Sequence, residues 1–416
     1  MSILIKNVML DGKETSIRVE GNTIDGIGTK EKAEYVIDGR GKAALPGFVN
    51  THTHSAMSLF RSYADDLRLH DWLTNHIWPR EAKMTEDDVY WGTKLSCLEM
   101  TKSGTTCFCD MYANVLATIR AADESGMRTV ASEVFFDFFD PEKAESEKKK
   151  HLKILKRVRE MKNPRITPGL GPHAPYTVSP GSLEWIKGLA DKEGLLIHMH
   201  LAETEKECED FAKKHGKRPV PFLEDIGFLG PNVIAAHGIW FDKKDLSILA
   251  KHAVKIAHNP VSNMKLASGV LPYREMRQAG ITVSLGTDGC ASNNALDMFE
   301  SMKFAALLQK VSTLDPRILP AKEAYEMATI NGAKTLGINA GAIETGRLAD
   351  IILIDLKRPE LAPGNNLISD LVYSAKGSCV DTVICDGRVI MEDRKVDGEE
   401  EIIEKATEAA KDLFGR

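Results

Sequence analysis

The sequence predicts a (β/α)₈ TIM barrel, of the α/β class, with a small β domain built from both chain termini. Eight short apolar stretches alternate with longer helical patterns between residues 46 and 349, which is typical of a parallel sheet. The two ends of the chain instead carry short strands and turns. Histidines and carboxylates follow the predicted barrel strands at their C-terminal ends, the face on which such barrels carry their sites.

The small β domain is predicted from residues 1–45 and 350–398. The first part reads as short strands from Ile3 onward, and it closes at Pro46-Gly47. DIILIDL at 350–356 and VDTVICDGRVIM at 380–391 repeat this β-rich character. In the second of these, Asp386-Gly387 is placed as a two-residue hairpin turn. Residues 399–416 form a charged amphipathic pattern and predict a C-terminal helix.

The barrel is predicted over residues 46–349, and two helix starts support it. Thr85 with Asp88 three residues later reads as a capping box, and Ser179 precedes Pro180 at a first helical position. The eight predicted strands are Gly47 to His52, Thr105 to Met111, Arg128 to Phe135, Arg165 to Gly171, Leu195 to Leu201, Asn232 to Ala236, Val254 to His258 and Ile281 to Gly286.

Composition limits the function classes. The chain has 416 residues and a net charge of −6, which argues against nucleic acid as the main partner. No stretch reaches the length of a membrane span, so we expect no membrane segment. The first twenty residues lack a continuous hydrophobic stretch of signal-peptide length. The seven cysteines include no CxxC pair, and we expect reduced thiols in a cytoplasmic protein.

Four residues are candidate metal ligands. His52 and His54 have the period-two spacing that places both rings on one side of an extended segment. Such a pair is weak evidence alone. His200 and Asp288 at other strand ends add a nitrogen and a carboxylate, a mixture suited to zinc or ferrous iron. A divalent cation with an open position would lower the pKa of bound water towards about 7.

Further polar residues follow other strands. Glu203 lies three residues past His200, where the chain leaves its strand, and is placed to shuttle protons. His237 ends strand six and His173 follows strand four. His198 shares strand parity with His200 one pleat deeper, which favours a role in the core. His258 is interpreted as a structural or supporting residue.

The motifs together resemble the amidohydrolase superfamily, a fold of the metal-dependent hydrolase type. Within it they are similar to the deaminases that act on 5′-deoxyadenosine, 5′-methylthioadenosine and S-adenosylhomocysteine, and the match runs over essentially the whole chain. The motifs are PGFVNTHTH, the HLAE of His200 to Glu203, AAHG ending in Gly238, HNPVSNMKL from His258, and LGTDGCASNNALDM around Asp288. The resemblance implies one metal ion per subunit, usually zinc, with iron or another divalent metal as the alternative, bound by His52, His54, His200 and Asp288.

The resemblance also implies catalytic roles for Glu203, His237 and Asp288. The implied reaction is attack at C6 of an adenine ring, protonation of N1 by Glu203 and loss of ammonia. The predicted substrate-binding residues are Glu81, His173, Glu203, Asp288, Trp72 and Ser292. Among these, Trp72 and Glu81 look like the family's loop over the nucleoside. A carboxylate such as Glu81 suits both ribose hydroxyls because it accepts two hydrogen bonds.

Two departures bear on specificity. Strand four carries no lysine where binuclear relatives place a carboxylated one, which favours one metal. Some relatives that accept S-adenosylhomocysteine have arginines in the region after strand three, where this chain has Glu133 and the run from Glu142 to Lys150. We interpret that run as a solvated helix face, which favours a smaller 5′ group.

Two alternatives stay open at this point. One is a deaminase of another heterocycle, such as guanine or cytosine, on the same site. The other is a non-catalytic scaffold with this fold. The resemblance further leads us to expect a homo-oligomer, dimer or tetramer, that takes part in the salvage of S-adenosylmethionine by-products.

Overall fold

The computed structural model describes residues 1–29 and 31–416, which form two separate sheets and the helices around them. The strands are β1 (Ser2–Leu10), β2 (Lys13–Glu20), β3 (Thr23–Ile27), β4 (Tyr35–Asp38), β5 (Lys42–Pro46), β6 (Phe48–Thr53), β7 (Thr105–Tyr112), β8 (Arg128–Phe135), β9 (Ile166–Pro172), β10 (Leu196–Leu201), β11 (Val233–His237), β12 (Lys255–His258), β13 (Val283–Leu285), β14 (Ile351–Asp355), β15 (Val380–Cys385) and β16 (Arg388–Met391).

Helices fill most of the chain between the strands. They are α1 (Leu69–Asp71), α2 (Trp78–Glu81), α3 (Glu86–Lys102), α4 (Val115–Glu124), α5 (Pro141–Met161), α6 (Pro180–Glu193), α7 (Glu205–His215), α8 (Pro219–Asp225), α9 (Lys243–Lys251), α10 (Pro260–Lys265), α11 (Tyr273–Gln278), α12 (Cys290–Asn293), α13 (Met298–Thr313), α14 (Ala321–Ala328), α15 (Ile330–Leu336), α16 (Leu367–Tyr373) and α17 (Glu399–Gly415). A π-helical segment, Trp72–Ile77, joins α1 to α2.

The eight strands β6 to β13 pair in chain order as a parallel sheet, which confirms the predicted barrel. Its two edge strands meet through hydrogen bonds. Thr51 Oγ1 donates to the carbonyl of Leu285 at 2.8 Å, and the backbone nitrogens of Thr287 and Asp288 donate to the carbonyl of His52 at 3.2 and 3.0 Å. The ring is therefore closed at its C-terminal rim, directly beside two predicted metal ligands.

The barrel strands are apolar on both faces because helices cover the outside while side chains fill the inside. Every residue of β6 and of β11 is buried. The helices begin where the sequence places polar caps: Thr85 and Asp88 form a capping box at the start of α3, and Asp242 and Asp245 form one at α9. These caps satisfy the free N–H groups of the first turn.

The second sheet joins the two ends of the chain. Its order is β16-β15-β14-β5-β1-β2-β3, and β4 pairs with β1. The antiparallel pairing of β5 with β14 links residues before the barrel to residues after it. Between β15 and β16, Asp386 and Gly387 form the predicted two-residue turn with positive φ angles of 51° and 70°, which suit a type I′ hairpin. The exact domain bounds stay a prediction.

A buried ion cluster connects this sheet to the base of the barrel. Arg128, at the N-terminal end of β8, donates to Asp350 at 3.1 Å and to Asp386 at 2.8 Å. All three residues are buried. Burial opposes the charge of Arg128, but the contact with Asp350 outweighs it and raises the pKa of the guanidinium. Such a paired cluster holds two sheets in register at the end opposite the predicted site.

The C-terminal helix α17 packs beside the barrel against the segment that precedes α3. Phe414 contacts Phe60 and Tyr63, with ring centroids 5.7 and 4.7 Å away. Arg80 lies over the Phe414 ring at 5.8 Å. Helix α17 thereby supports the segment that carries Trp72. Among the described residues, no helix combines the length and the apolar composition that crossing a membrane requires.

Candidate active site

The carboxyl ends of the barrel strands bring five predicted residues into one cluster. His52 lies in β6, His54 directly follows that strand, His200 lies in β10, His237 ends β11, and Asp288 follows β13. The cluster is buried except for His54, which is partly exposed. Residues more than 200 positions apart in the sequence are thus neighbours in space.

Three pairs of atoms in this cluster have the spacing of ligands around one ion. Asp288 Oδ1 lies 3.3 Å from His52 Nε2 and 3.4 Å from His54 Nε2, and His54 Nε2 lies 3.2 Å from His200 Nε2. With metal bonds of about 2.0–2.1 Å, a tetrahedral zinc ion separates its ligands by about 3.3 Å. His52 Nε2 is buried and makes no hydrogen bond to the described residues. The donor set of three imidazoles and one carboxylate fits a divalent metal.

Hydrogen bonds on the far side of each ring direct the imidazoles toward this centre. Nδ1 of His54 lies 2.7 Å from the carbonyl of Met111, and Nδ1 of His200 lies 2.9 Å from the carbonyl of His173. An Nδ1–H that donates to a carbonyl leaves Nε2 with a free lone pair. Burial lowers the pKa of His52 to about 4, so that its ring is neutral at pH 7.

Asp288 is held as a carboxylate. Its Oδ2 accepts hydrogen bonds from Ser262 at 2.7 Å and Ser292 at 3.1 Å, and its Oδ1 accepts one from the Gly289 nitrogen at 2.9 Å. Burial alone would raise its pKa, but the contact with His52 outweighs burial and the pKa is lowered well below the usual value. Ser292 therefore contacts the metal ligand as well as lining the cavity.

Glu203 faces the same cavity, but its pKa is raised whereas that of Asp288 is lowered. Burial, and then the charge of Asp288, raise its pKa to about 8. Its Oε2 lies 3.7 Å from His237 Nε2. Glu207, a residue without a predicted role, accepts hydrogen bonds from the backbone nitrogens of Ala202 and Glu203 at 2.9 and 2.8 Å. Glu207 thus holds the chain where it turns out of β10.

His237 presents a single N–H to the cavity. Asn263 Nδ2 lies 3.0 Å from its Nδ1, and an amide donor there requires Nδ1 to be the acceptor. Burial lowers the pKa of the ring to about 4, so His237 is neutral at pH 7 and carries its proton on Nε2. Its backbone φ is +73°, and that of Asp288 is +63°. Such left-handed conformations are uncommon outside glycine and cluster at functional sites.

The cluster forms the floor of a cavity of about 350 Å³, within the size range of small-molecule sites. The segment from α1 to α2 covers it and contributes Trp72, which is 6% exposed, and Glu81. Tyr112 donates a hydrogen bond to Glu81 Oε1 at 2.6 Å. Burial raises the pKa of Glu81, although the bond from Tyr112 offsets part of the effect. Trp72 both packs in an apolar cluster and lines the cavity.

His173 lies on the wall beside His200. Its Nδ1 is 3.0 Å from Thr177 Oγ1, and its ring packs against Phe136 at an interplanar angle of 34°, with centroids 4.5 Å apart. Burial lowers its pKa to about 3. Every predicted site residue except His52 therefore lines this one cavity, and His52 is buried behind the lining.

The outer wall of the cavity contains part of a charged run that the sequence pattern predicts to be a solvated helix face. The run from Glu142 to Lys150 is not wholly a solvated face, because Lys143, Glu147 and Lys150 line the cavity. Buried Glu133 at the end of β8 accounts for the difference, since Lys150 reaches in to pair with it at 2.6 Å and lies 3.6 Å from Glu147. A charge pattern alone does not reveal such a buried partner.

Several neighbours of the site were not predicted from the sequence. Tyr112, Phe136 and Glu207 follow no motif spacing. Asn263 lies four residues after Asn259 at the start of α10, a spacing that places both on one helix face toward His237. His198 is buried next to His52, and His258 is buried with neither ring nitrogen bonded to a described residue.

Comparison with known proteins identifies relatives along the whole chain. The model of the amidohydrolase family matches residues 43–390. A 5-methylthioadenosine/S-adenosylhomocysteine deaminase of Archaeoglobus fulgidus is 51% identical over 99% of this chain and 99% of its own length. A 5′-deoxyadenosine deaminase of Methanoregula boonei is 49% identical over 100% of this chain and 96% of its own length.

Solved structures extend this likeness to the fold. An adenosine deaminase from Xanthomonas campestris with bound zinc superposes with a TM-score of 0.94 at 30% identity, covering 100% of this chain and 99% of that one. Atrazine chlorohydrolase from Arthrobacter aurescens, complexed with zinc, gives a TM-score of 0.91 at 23% identity, covering 98% and 100%. At that lower identity the likeness concerns the fold alone.

Proposed function

The chain belongs to the amidohydrolase family, and we propose that it is a hydrolytic deaminase that converts adenine nucleosides to inosine-type products and ammonia. The proposed substrates are 5′-deoxyadenosine, 5′-methylthioadenosine, S-adenosylhomocysteine and adenosine. The observation that carries the proposal is the buried Glu203, whose carboxyl lies 3.7 Å from His237 beside the histidine and aspartate cluster and whose pKa is raised to about 8. Two relatives that are 49% and 51% identical to this chain are named as deaminases of these nucleosides, which supports the choice of substrate class.

The site binds a divalent metal, and we propose that the ion is zinc. His52, His54, His200 and Asp288 would hold it. The structure groups the candidate ligand atoms into two overlapping sets, His52 with His54 and His200, and His52 with His237 and Asp288. The N₃O donor set of the four proposed ligands suits zinc. The solved adenosine deaminase with bound zinc, which is 30% identical to this chain, supports this choice. A bound divalent ion supplies a hydroxide nucleophile near neutral pH by lowering the pKa of water towards about 7.

The carboxyl groups of the chain would then move three protons. Glu203 donates its proton to N1 of the adenine ring as water attacks C6. The carboxylate of Asp288 takes one proton of that water and passes it to the amino group, which leaves as ammonia. The second proton of the water returns to Glu203 as the C6 carbonyl forms, so the enzyme ends as it began.

His237 orients the attacking water. Its Nε2–H points into the cavity while Asn263 occupies Nδ1, so the ring donates a hydrogen bond without acting as a base. A neutral donor fixed in this way stabilises negative charge that develops on the attacking oxygen. Replacement of Asn263 by leucine would remove the shorter of the two amide contacts that orient the ring, the other being that of Asn259 at 3.4 Å. It should lower kcat with little change in KM.

The sugar end of the substrate would lie under the covering segment. Glu81 would accept hydrogen bonds from the ribose hydroxyls, and His173 would contact the same sugar. Trp72 would exclude water over the nucleoside, and Ser292 would contact its edge. Their common position on one cavity supports these roles.

We further propose that the 5′ substituent extends toward the outer wall. Lys143 and Lys150 there are balanced by the carboxylates of Glu133 and Glu147. A wall without net charge favours an uncharged 5′ group, such as that of 5′-deoxyadenosine or 5′-methylthioadenosine. The test is the ratio of kcat/KM for 5′-deoxyadenosine to that for S-adenosylhomocysteine, which should exceed 1.

One experiment separates this function from its alternatives. Metal content and ammonia release are measured together for the wild-type protein with adenine nucleosides, adenine, guanine and cytosine. Faster turnover of guanine or cytosine would support the other heterocycle deaminases. A folded protein that binds no metal and releases no ammonia would support the scaffold. The cytoplasmic location, the homo-oligomer and the salvage of S-adenosylmethionine by-products stay predictions, the last tested by whether gene deletion makes 5′-deoxyadenosine accumulate.

A further inference from the structure

We propose that His198 and Cys109 form a buried hydrogen-bond relay that orients His52 and sets its tautomer. His198 would be a positioning residue for the metal site, since it does not reach the substrate. The inference rests on the proposed metal site. It gives His198 a role in place of the core role expected from its depth in the strand.

The relay is a line of close contacts inside the barrel. His52 Nδ1 lies 2.7 Å from His198 Nε2, and His198 Nδ1 lies 3.4 Å from Cys109 Sγ. The two rings meet edge to face, with an interplanar angle of 85°. All three residues are completely buried, so no solvent competes for these hydrogen bonds.

The group that hydrogen-bonds to Nδ1 of His52 differs in kind from those of the other two histidine ligands. His54 and His200 are oriented by the backbone carbonyls of Met111 and His173, and no substitution removes those acceptors. Only the partner of His52 is a side chain among these three ligands. The orientation of His52 therefore depends on the identity of one residue.

The chemistry of the site fixes the direction of the relay. A metal on His52 Nε2 takes the lone pair of that atom, so the proton of the neutral ring is on Nδ1. His52 Nδ1–H must then donate to His198 Nε2, which accepts through its lone pair. His198 consequently carries its own proton on Nδ1 and donates it to Cys109 Sγ, a weak acceptor.

Replacement of His198 by leucine should weaken zinc binding. The leucine fills similar space but leaves the buried His52 Nδ1–H without an acceptor, and losing an orienting partner typically lowers metal affinity about 10–100-fold. His198→Gln should restore most of the affinity, because its side-chain oxygen can accept in place of Nε2. The readout is the zinc Kd of the folded protein, measured by competition with a chromophoric chelator.

His258→Leu is the matched control. His258 is also a buried histidine of a barrel strand, but neither of its ring nitrogens bonds to a described residue. It should bind zinc as the wild type does. A purely structural role for His198 would lower stability and leave zinc Kd unchanged. Zinc affinity of His198→Leu within twofold of wild type would overturn the proposal, whereas a wild type that binds no zinc would instead defeat the proposed metal site.

A second measurement needs no variant and decides the matter if His198→Leu does not fold. Long-range ¹H–¹⁵N correlation spectra of the zinc-loaded wild-type protein report which nitrogen of each histidine is protonated. The relay predicts protonated Nδ1 in both His52 and His198. A proton on His198 Nε2 would contradict it.

Discussion

Replacing Glu203 by glutamine tests the proposed proton donor without changing the shape of the site. Burial raises the pKa of Glu203 to about 8, which favours the protonated carboxyl at pH 7. Glutamine keeps the size of the side chain and loses the acidic proton. General acid catalysis contributes about 10²–10⁴-fold, so kcat should fall by that factor, which corresponds to about 3–5 kcal/mol. KM should change little, because both side chains can hydrogen-bond to the substrate.

The assay is steady-state ammonia release from 5′-deoxyadenosine, with metal content measured on the same samples. Glu205→Gln, an exposed carboxyl two residues away, is the control and should keep wild-type kcat. The activity of the wild type should decline as pH rises through the pKa of Glu203, at or somewhat below about 8 because a nearby cation favours the carboxylate. Glu203→Gln at wild-type kcat, with metal bound, would refute the assignment.

Three further predictions concern the sugar contact, the metal and the C-terminal helix. Glu81→Gln should lower kcat/KM for nucleosides about 10–100-fold, the loss of a charged hydrogen bond, without affecting turnover of free adenine; equal loss for both would contradict a ribose contact. Chelation should lower the melting temperature, because a metal at a hundredfold excess over Kd stabilises the fold by about 2.7 kcal/mol; an unchanged melting temperature would argue against the site. Arg416 pairs with Asp88 through two hydrogen bonds of 2.8 and 2.9 Å. Burial raises the pKa of Asp88, but the bonds from Arg416 and Thr85 lower it more. Arg416→Met should therefore reduce the free energy of unfolding by about 1 kcal/mol at pH 7, a difference that shrinks as pH falls through the lowered pKa and is checked by urea denaturation at several pH values.

The arrangement of the barrel was predictable from the sequence because its signals are local. Each strand is a short apolar run, and six of the eight lead into a polar residue that the parallel sheet carries to one rim. His52 and Asp288 are 236 positions apart, yet their positions at the C-terminal end of β6 and just after β13 were sufficient to bring them together. The hairpin at Asp386-Gly387 was predictable for the same reason, because the turn depends only on the positive φ angles of two adjacent residues.

What the sequence did not reveal depends on contacts across the fold. Lys150 belongs to a charged helix, and only the buried Glu133 on the neighbouring strand draws it into the cavity wall. Glu207 resembles any acid of a first helical turn until its two bonds to the Glu203 segment are seen. Strand parity placed His198 inside the barrel, but the curvature of the sheet decides that its partner is His52.

The central claim is that this metal site deaminates adenine nucleosides. The most direct measurement is ammonia release by the zinc-loaded protein across adenosine, 5′-deoxyadenosine, 5′-methylthioadenosine, S-adenosylhomocysteine, adenine, guanine, guanosine and cytosine, ranked by kcat/KM. We predict that the adenine nucleosides lead and that 5′-deoxyadenosine or 5′-methylthioadenosine ranks first. Metal-loaded protein that releases no ammonia from any adenine nucleoside would contradict the claim.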